Sequence, residues 1–478
     1  MALNLSGTSG IVGAGIGTIG PSGANVTGVV TCTSVVSSGA VSGTTGSFTG
    51  NLTISNVEPT LNLTDSNNNS DFAVRNNDGT FGIRDTTNGV ERFTISSDGT
   101  VATGGNINIS GVTTAKSFVP TEGQLSNRNL IINGAMNVAQ RGTTSGTEGF
   151  STIDRFSNEE GSCDEVPTQS QHDLTSSDTG PWAEGFRHSF HIQNGNQTSG
   201  AQAANFIKLS YQVEAQDLAQ SGWNYTSTSS YITLSFWVKS SVAQNFYGRL
   251  ATSDGTILNY PFETGSLSAN TWTKITKTIP GNANITINND TGSGLLLEYN
   301  TYRGGNTTSP SVSLNTWATY ASGTRTPDQT STWFTTNDAT WELTGVQLEV
   351  GSVATPFEHR SYGDELAKCQ RYCYVVADGA SNALGLATMY QSDHMFGQVI
   401  FPVTMRATPT LSATSGTNYY EFVRNGAADW FNSLSLDNRT TNKIAEIYND
   451  TEVSGTVGHT GFIRTDNAAV KVIFNAEL

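Results

Sequence analysis

The chain has 478 residues, about three times a common domain of roughly 150. Only 13% are charged, and 40 Asp and Glu against 24 Lys and Arg leave a net charge of −16. Such an acidic chain does not neutralise a phosphate backbone, which argues against nucleic acid as a partner.

No run approaches the roughly 18 apolar residues of a membrane-spanning helix. The opening, Met1 to Ser6, has neither a basic region nor an apolar core, so no secretory signal is expected. With 36% hydrophobic residues and 21 Phe, 15 Tyr and 8 Trp, disorder throughout is not expected. The four cysteines, Cys32, Cys163, Cys369 and Cys373, are too few for a disulfide scaffold. On a helix Cys369 and Cys373 would hold their Cβ atoms roughly 5–6 Å apart, wider than the ~3.5–4.5 Å of a disulfide. Free thiols and folding in a reducing cytoplasm are expected.

Residues 1–57 contain no Asp, Glu, Lys or Arg, and twelve of them are Gly. Two readings fit: a segment ordered only against identical copies or another protein, or a flexible linker. From Glu58 to about residue 128 the character changes. Asp78-Gly79, Asn88-Gly89 and Asp98-Gly99 separate short alternating runs in which Phe72 and Val74, Phe81 and Ile83, and Phe93 and Ile95 share faces. This pattern predicts β-hairpins. One apolar residue in two makes a thin meander, marginal alone, and three chains around an axis would bury its apolar edge. Gly28 to Ser34 (GVVTCTS) weakly repeats as Gly111 to Ser117 (GVTTAKS), which suits an extended shaft.

Residues 129–360 hold seven of the eight tryptophans. Ile232, Leu234, Phe236 and Val238 alternate with Tyr231, Thr233, Ser235, Trp237 and Lys239; Phe186, His188, Phe190 and Ile192 alternate likewise. Many such strands without helical periodicity predict a β-sandwich of jelly-roll type. In residues 361–376, Ser361 to Asp364 reads as a capping box, and Leu366, Cys369, Cys373 and Val376 fall on one stripe, which predicts one short helix. Residues 377–478 return to β patterns, with Pro402 and Pro409 at the ends of runs, and predict a smaller distal β-domain. The fold class is therefore all-β.

Several stretches resemble a known family. Asn129 to Gly142 (NLIINGAMNVAQRG) is similar to the opening of a domain common in phage tail fibres, and Gln347 to Glu358 (QLEVGSVATPFE) to its ending. Cys369 to Tyr372 (CQRY) and Phe401 to Thr410 (FPVTMRATPT) follow as in that family, and Ser235 to Lys239 (SFWVK) resembles a strand of jelly-roll carbohydrate-binding modules. The first 120 residues are similar in style to fibre shafts of marine, especially cyanobacterial, phages. The resemblance covers about residues 129–410. It implies a homotrimeric fibre on the virion tail, with the N-terminus docked on a tail or adaptor protein and the C-terminus toward the host.

The expected function is attachment to host-surface glycan. The rivals are a purely structural tail or baseplate connector, and a polysaccharide-degrading tailspike. Glycan cleavage needs two carboxylates about 5–9.5 Å apart across a groove. Glu159-Glu160 and Asp164-Glu165 are sequence neighbours, which does not make that geometry, and no Gly-x-Ser-x-Gly or His-Glu-x-x-His motif occurs. The chain is not expected to be an enzyme. His188 and His191 face opposite sides of a strand and do not readily share a metal. Asn288-Asn289-Asp290 reads as a turn more readily than as a Ca²⁺ loop. No cofactor is expected, although a divalent cation bridging to glycan stays open. Sugar recognition needs flat aromatic faces with hydrogen-bonding neighbours. Tyr419, Tyr420 and Trp430 of the distal domain are the first receptor-binding candidates, and Tyr231, Trp237 and Lys239 the second; each aromatic has packing as its rival reading.

Overall fold

The computed structural model describes residues 51–67, 70–105, 107–108 and 126–478. Most of the uncharged N-terminal segment and both copies of the weak repeat lie outside the described residues. The chain divides into two compact units, residues 1–116 and 117–478.

In the first unit, five antiparallel strands follow chain order: Thr60–Leu63, Phe72–Asn77, Thr80–Asp85, Val90–Ile95 and Val101–Thr103. The three Gly-bearing turns lie where the pattern predicts. At the tightest, Asp78 and Gly79 both have positive φ (46° and 78°), the backbone a two-residue hairpin turn requires. Register lines up Leu61, Val74, Ile83 and Phe93 across four strands on one face. Leu61, Leu63, Phe81 and Ile95 on that face are exposed. The other face is polar: Arg75 pairs with Glu58 and Glu91, and Arg84 with Glu91 at 3.5 Å. One face is thus closed by ion pairs and the other left apolar and open.

The second unit begins as a sandwich of two six-stranded antiparallel sheets. Strand Tyr231–Ser240 lies between Thr273–Pro280 and Thr340–Val350 in one sheet. Strand Ser293–Arg303 lies between Asn245–Thr252 and Phe206–Glu214 in the other. The chain crosses repeatedly between the sheets, as in a jelly roll. Ile232, Leu234, Phe236 and Val238 point inward and are buried, as their alternation predicts. Phe236 meets Tyr299 of the opposite sheet at 5.0 Å, edge to face.

The opening and closing motifs meet in space. Leu130 N donates to Leu348 O, and the Asn129 side chain bonds both Val346 O and Leu348 N. Gly134 lies so close that a Cβ there would stand 2.1 Å from Val346 O. Asn133 has φ 62°, and its amide bridges Val138 and the Asp154 carbonyl.

The helix is shorter than its stripe predicts. Ser361 caps it and accepts from Asp364 N, but it runs only over Tyr362–Gln370. Cys373 opens strand Cys373–Asp378, paired with Lys471–Asn475. The run Tyr372 to Val376 is β-branched and aromatic, and pairing with the C-terminal strand wins over helix continuation. Two further helical turns, Ala215–Ala219 and Thr332–Thr335, fall in loops. Among the described residues no helix is long and apolar enough to cross a membrane.

Residues 373–475 form a three-stranded and a seven-stranded antiparallel sheet around a second core that includes Met389, Phe422, Ile463 and Phe474. A buried polar junction ties these sheets to the sandwich. Arg155 (φ 74°) lies 3.5 Å from the Tyr372 ring centre and 5.1 Å from that of Tyr211. Its guanidinium pairs with Glu477 and donates to Gln212 O at 2.7 Å. Arg371 and the Tyr372 hydroxyl both reach Glu214 at 2.6 Å. Arg406 donates to the carbonyls of Ala476 and Glu477.

Candidate functional site

Two surfaces gather aromatic and polar side chains. The first is the outer face of the jelly-roll sheet that carries Trp237. A loop over residues 174–187 folds back on it, joined by Leu174 N to Arg187 O at 2.8 Å. Gly180 has φ 101°, and a Cβ there would stand 2.7 Å from the Trp237 ring, so only glycine lets the loop lie on the indole. Trp237 is half-buried; its Nε1 donates to Glu184 at 3.1 Å, and Lys274 holds both Glu184 oxygens at 2.9 Å. A groove of about 440 Å³ opens beside them, lined by Glu184, Lys274, Pro356, Phe357 and His359. His359 Nε2 sits 2.8 Å from Glu184 O, and Phe186 meets Phe357 edge-on at 4.8 Å. Arg187 covers Trp182 at 3.7 Å.

Deeper under the loop, Lys239 does not present a free ammonium. Its Nζ lies 2.8 Å from Glu342 and 3.1 Å from Asp178. Burial opposes its charge, but the two carboxylates outweigh burial and raise its pKa. Burial also opposes the charge on Glu342. Hydrogen bonds from His172, Lys239 and Ser189 prevail and hold it at about 2. Asp178 is likewise held at about 2, against burial, by the Thr175 N–H, Trp272 and Lys239. Lys239 is therefore a cross-link under the loop rather than a receptor contact. Tyr231 is half-buried at the start of its strand, where its carbonyl accepts from Gly351 N.

The second surface is the outward face of the seven-stranded sheet. Strands Ala383–Gln391, His394–Ile400, Ile444–Asn449 and Thr460–Thr465 send alternate residues inward to the core. The others point out. Leu386 is 58% exposed, Ile400 75%, Phe462 58% and Tyr390 64%. A depression of about 690 Å³ crosses this face, lined by Leu386, Thr388, Phe396, Gln398, Ile400, Glu446 and Thr460. His394 stacks on Phe396 at 4.6 Å, with Tyr448 and Tyr390 around them.

The distal candidates scatter. Tyr420 is fully buried, stacked on Phe431 at 5.4 Å, with its hydroxyl on Thr414 O. Strand alternation turns it inward, so packing overturns its assignment as a receptor contact. Tyr419 is half-buried against Gly416, where a Cβ would stand 2.4 Å from its ring. Trp430 is exposed at one edge of the outward face, its Nε1 donating to Asp466 at 3.0 Å.

Reading from sequence missed Trp182, Glu184, Lys274 and His359, and the distal group Tyr390, His394, Phe396 and Tyr448. Phe357 lies inside the closing motif, the one local signal pointing there.

The acidic pairs are locally engaged. Glu159 pairs with Lys208 at 2.9 Å, and Asp164 accepts from Ser199 N and Oγ. Asp290 closes a turn onto Gly292 N, and Asn288 bonds Asp254. Cys163, Cys369 and Cys373 are free thiols. Among the described residues no three His, Cys, Asp or Glu side chains gather as metal ligands.

No family model and no curated protein matches the sequence. Among solved structures, the enzymatically active domain of tailspike protein 4 from bacteriophage CBA120 is similar at 10% identity, with TM-score 0.25 over 47% of this chain and 21% of that one. The chain thus spans about a fifth of that tailspike's length. A family 4 carbohydrate-binding module is similar at 8% identity, with TM-score 0.23 over 46% of this chain and 98% of that one. The family 11 module from Clostridium thermocellum, solved with a β-1,3-1,4-mixed-linked tetrasaccharide, is similar at 12% identity, with TM-score 0.21 over 45% and 97%.

Proposed function

We propose that this chain is a homotrimeric phage tail fibre that attaches the virion to host-surface glycan without cleaving it. The groove beside Trp237 carries the reading. It places the Phe357 ring next to the Glu184 carboxylate, the Lys274 ammonium and the His359 imidazole, with Trp237 fixing Glu184 from behind, a mixture of flat and hydrogen-bonding groups suited to a pyranose. The open apolar face of the five-stranded sheet supports association of copies, because a contiguous exposed apolar patch marks an interaction site. The uncharged segment 1–57 serves as the anchor to a tail or adaptor protein.

Adhesion rather than hydrolysis fits the carboxylates beneath the loop. A general acid must hold its proton near neutral pH, and Asp178 and Glu342 are both held ionised to about 2. Host glycans are commonly anionic and the chain carries −16, so long-range charge opposes approach and is screened within about 8 Å at physiological salt. Short-range contacts repeated on three copies supply the grip through effective concentration.

The test is binding of purified fibre to a glycan array and to host envelope. Trp237→Ala is expected to weaken binding about tenfold, equivalent to ~1.4 kcal/mol per site, with the assembly mass unchanged. Undiminished binding by an intact variant would remove the groove from the reading.

A further inference from the structure

The outward face of the seven-stranded sheet is an exposed apolar surface that the glycan groove does not use. Register places Val423, Phe462 and Leu386 in one row, followed by Gln398 and Glu446. The next row holds Thr460, Thr388, Phe396 and Tyr448. Ile400 and Ile444 pair beyond them.

The charged groups on this face and two of its hydroxyls are turned toward one another, whereas His394 Nε2 is enclosed without a hydrogen-bond partner. The Thr388 and Thr460 hydroxyls lie 3.1 Å apart, and Arg464 Nε stands 2.9 Å from Glu421. Arg439 holds Asp437 at 2.8 Å and Glu446 at 3.5 Å, and Trp430 gives its N–H to Asp466. A surface that will be buried against protein satisfies its polar groups beforehand, because an unpaired polar group costs free energy on desolvation. The exposed side chains of Leu386, Ile400 and Phe462 interdigitate well with another sheet.

We infer that this face is where copies of the chain meet in the distal region, Leu386, Ile400 and Phe462 packing against their counterparts. The inference rests on the trimeric reading above. Seven strands at ~4.8 Å, most with two or three outward residues at ~6.8 Å, outline on the order of 400 Å², about half the ~800 Å² per partner of a standard interface, a share that other contacts along the fibre would complete. Charge agrees. Each copy carries −16, but this face holds only −2 of it, Arg439 and Arg464 against Glu421, Asp437, Glu446 and Asp466, so contact here brings little of the like charge together. The five-stranded sheet of residues 60–103 leaves an apolar face of its own. Identical copies offer each face its own counterpart, whereas a foreign protein would have to match two unlike surfaces.

The test needs no variant to begin. Hydroxyl-radical labelling of the full chain is combined with light scattering. The expected mass is about 152 kDa, three times 50.7 kDa. At that mass Tyr390, 64% exposed in the single chain, should oxidise several-fold more slowly than Tyr362, which is comparably exposed at 60% on another element. Leu386→Asp should then raise Tyr390 labelling several-fold. A trimer in which Tyr390 labels like Tyr362 overturns this inference and leaves the trimeric reading standing. A wild-type mass near 51 kDa overturns both. Protection that appears only when host-envelope polysaccharide is added makes the face a ligand surface, and the inference fails.

Discussion

The junction between the sandwich and the distal sheets and the outward face of the seven-stranded sheet use opposite chemistry. At the junction, Arg155, Glu477, Asp154, Arg141, Glu214 and Arg371 are gathered into one cluster, and all but Arg371 are largely buried. Each charge there is tolerable only because named partners, up to 336 residues away in sequence, are held in place. On the outward face the ion pairs are partly exposed, and Leu386, Phe462 and Ile400 stand open to solvent, where any comparable apolar side chain would serve. A fixed joint needs specific partners, since a buried charge without one is costly. A contact surface needs area and shape. The two regions should therefore respond very differently to substitution.

The largest contrast is expected at Arg155. Arg155→Ala removes one of two guanidinium partners of Glu477, frees Gln212 O and empties the space between Tyr211 and Tyr372. Breaking a buried ion pair from one side costs about 3–5 kcal/mol. Urea unfolding of the variant should show that loss. A loss below about 1 kcal/mol, the range of exposed pairs, would mean that the junction is not the fixed joint described.

Acid–base behaviour sharpens the same contrast. Burial raises the Asp154 carboxyl from 3.8 to about 6, against the pull of Arg141 and the hydrogen bonds from Gln140. Between those values the folded chain holds a proton that the unfolded chain has released. This group therefore favours folding most at low pH, and its contribution falls as pH rises from 3.8 to about 6, by up to about 3 kcal/mol. Stability measured across that window should decline less steeply in Asp154→Asn than in the wild type. Equal slopes would place the titration elsewhere.

A smaller effect belongs to the opening motif. Gly134→Ala puts a Cβ 2.1 Å from Val346 O, so the opening and closing segments must separate. Such overpacking costs about 1–3 kcal/mol, readable as a lower thermal midpoint. An unchanged midpoint would show that the two motifs are not held in register by that contact.

These residues also explain which parts of the molecule could be read from sequence. Inward and outward alternation named the buried residues of strand Tyr231–Ser240, and Asp-Gly turns placed the hairpins, because period-2 burial and positive φ are local constraints. The stretches that resemble tail-fibre domains, among them Asn133, Gly134, Arg371, Tyr372 and Arg406, lie at contacts between distant segments. Their left-handed backbone, close approaches and buried hydrogen bonds leave little freedom, which gives them recognisable text. The partners themselves were not legible, since nothing near Arg155 points to Glu477. Nor was the side on which an aromatic residue falls. Tyr419 and Tyr420 are neighbours, and only knowledge of which face covers the core says that Tyr420 is the buried one.

The smallest effect is expected at Ile400, and there the outcome depends on concentration. Ile400 is 75% exposed in the single chain, so Ile400→Thr should change the chain's own stability by no more than about 0.5 kcal/mol. If a second copy covers it, the ethyl arm that Thr lacks is buried in the assembly. The variant then weakens association, and association stabilises the fold by mass action. Thermal midpoints of wild type and variant should differ at high protein concentration and converge on dilution toward the separated chains. Midpoints that coincide at every concentration would return Ile400 to open solvent. The outward face would then lose the feature that sets it apart from the junction, a chemistry made for contact rather than for holding.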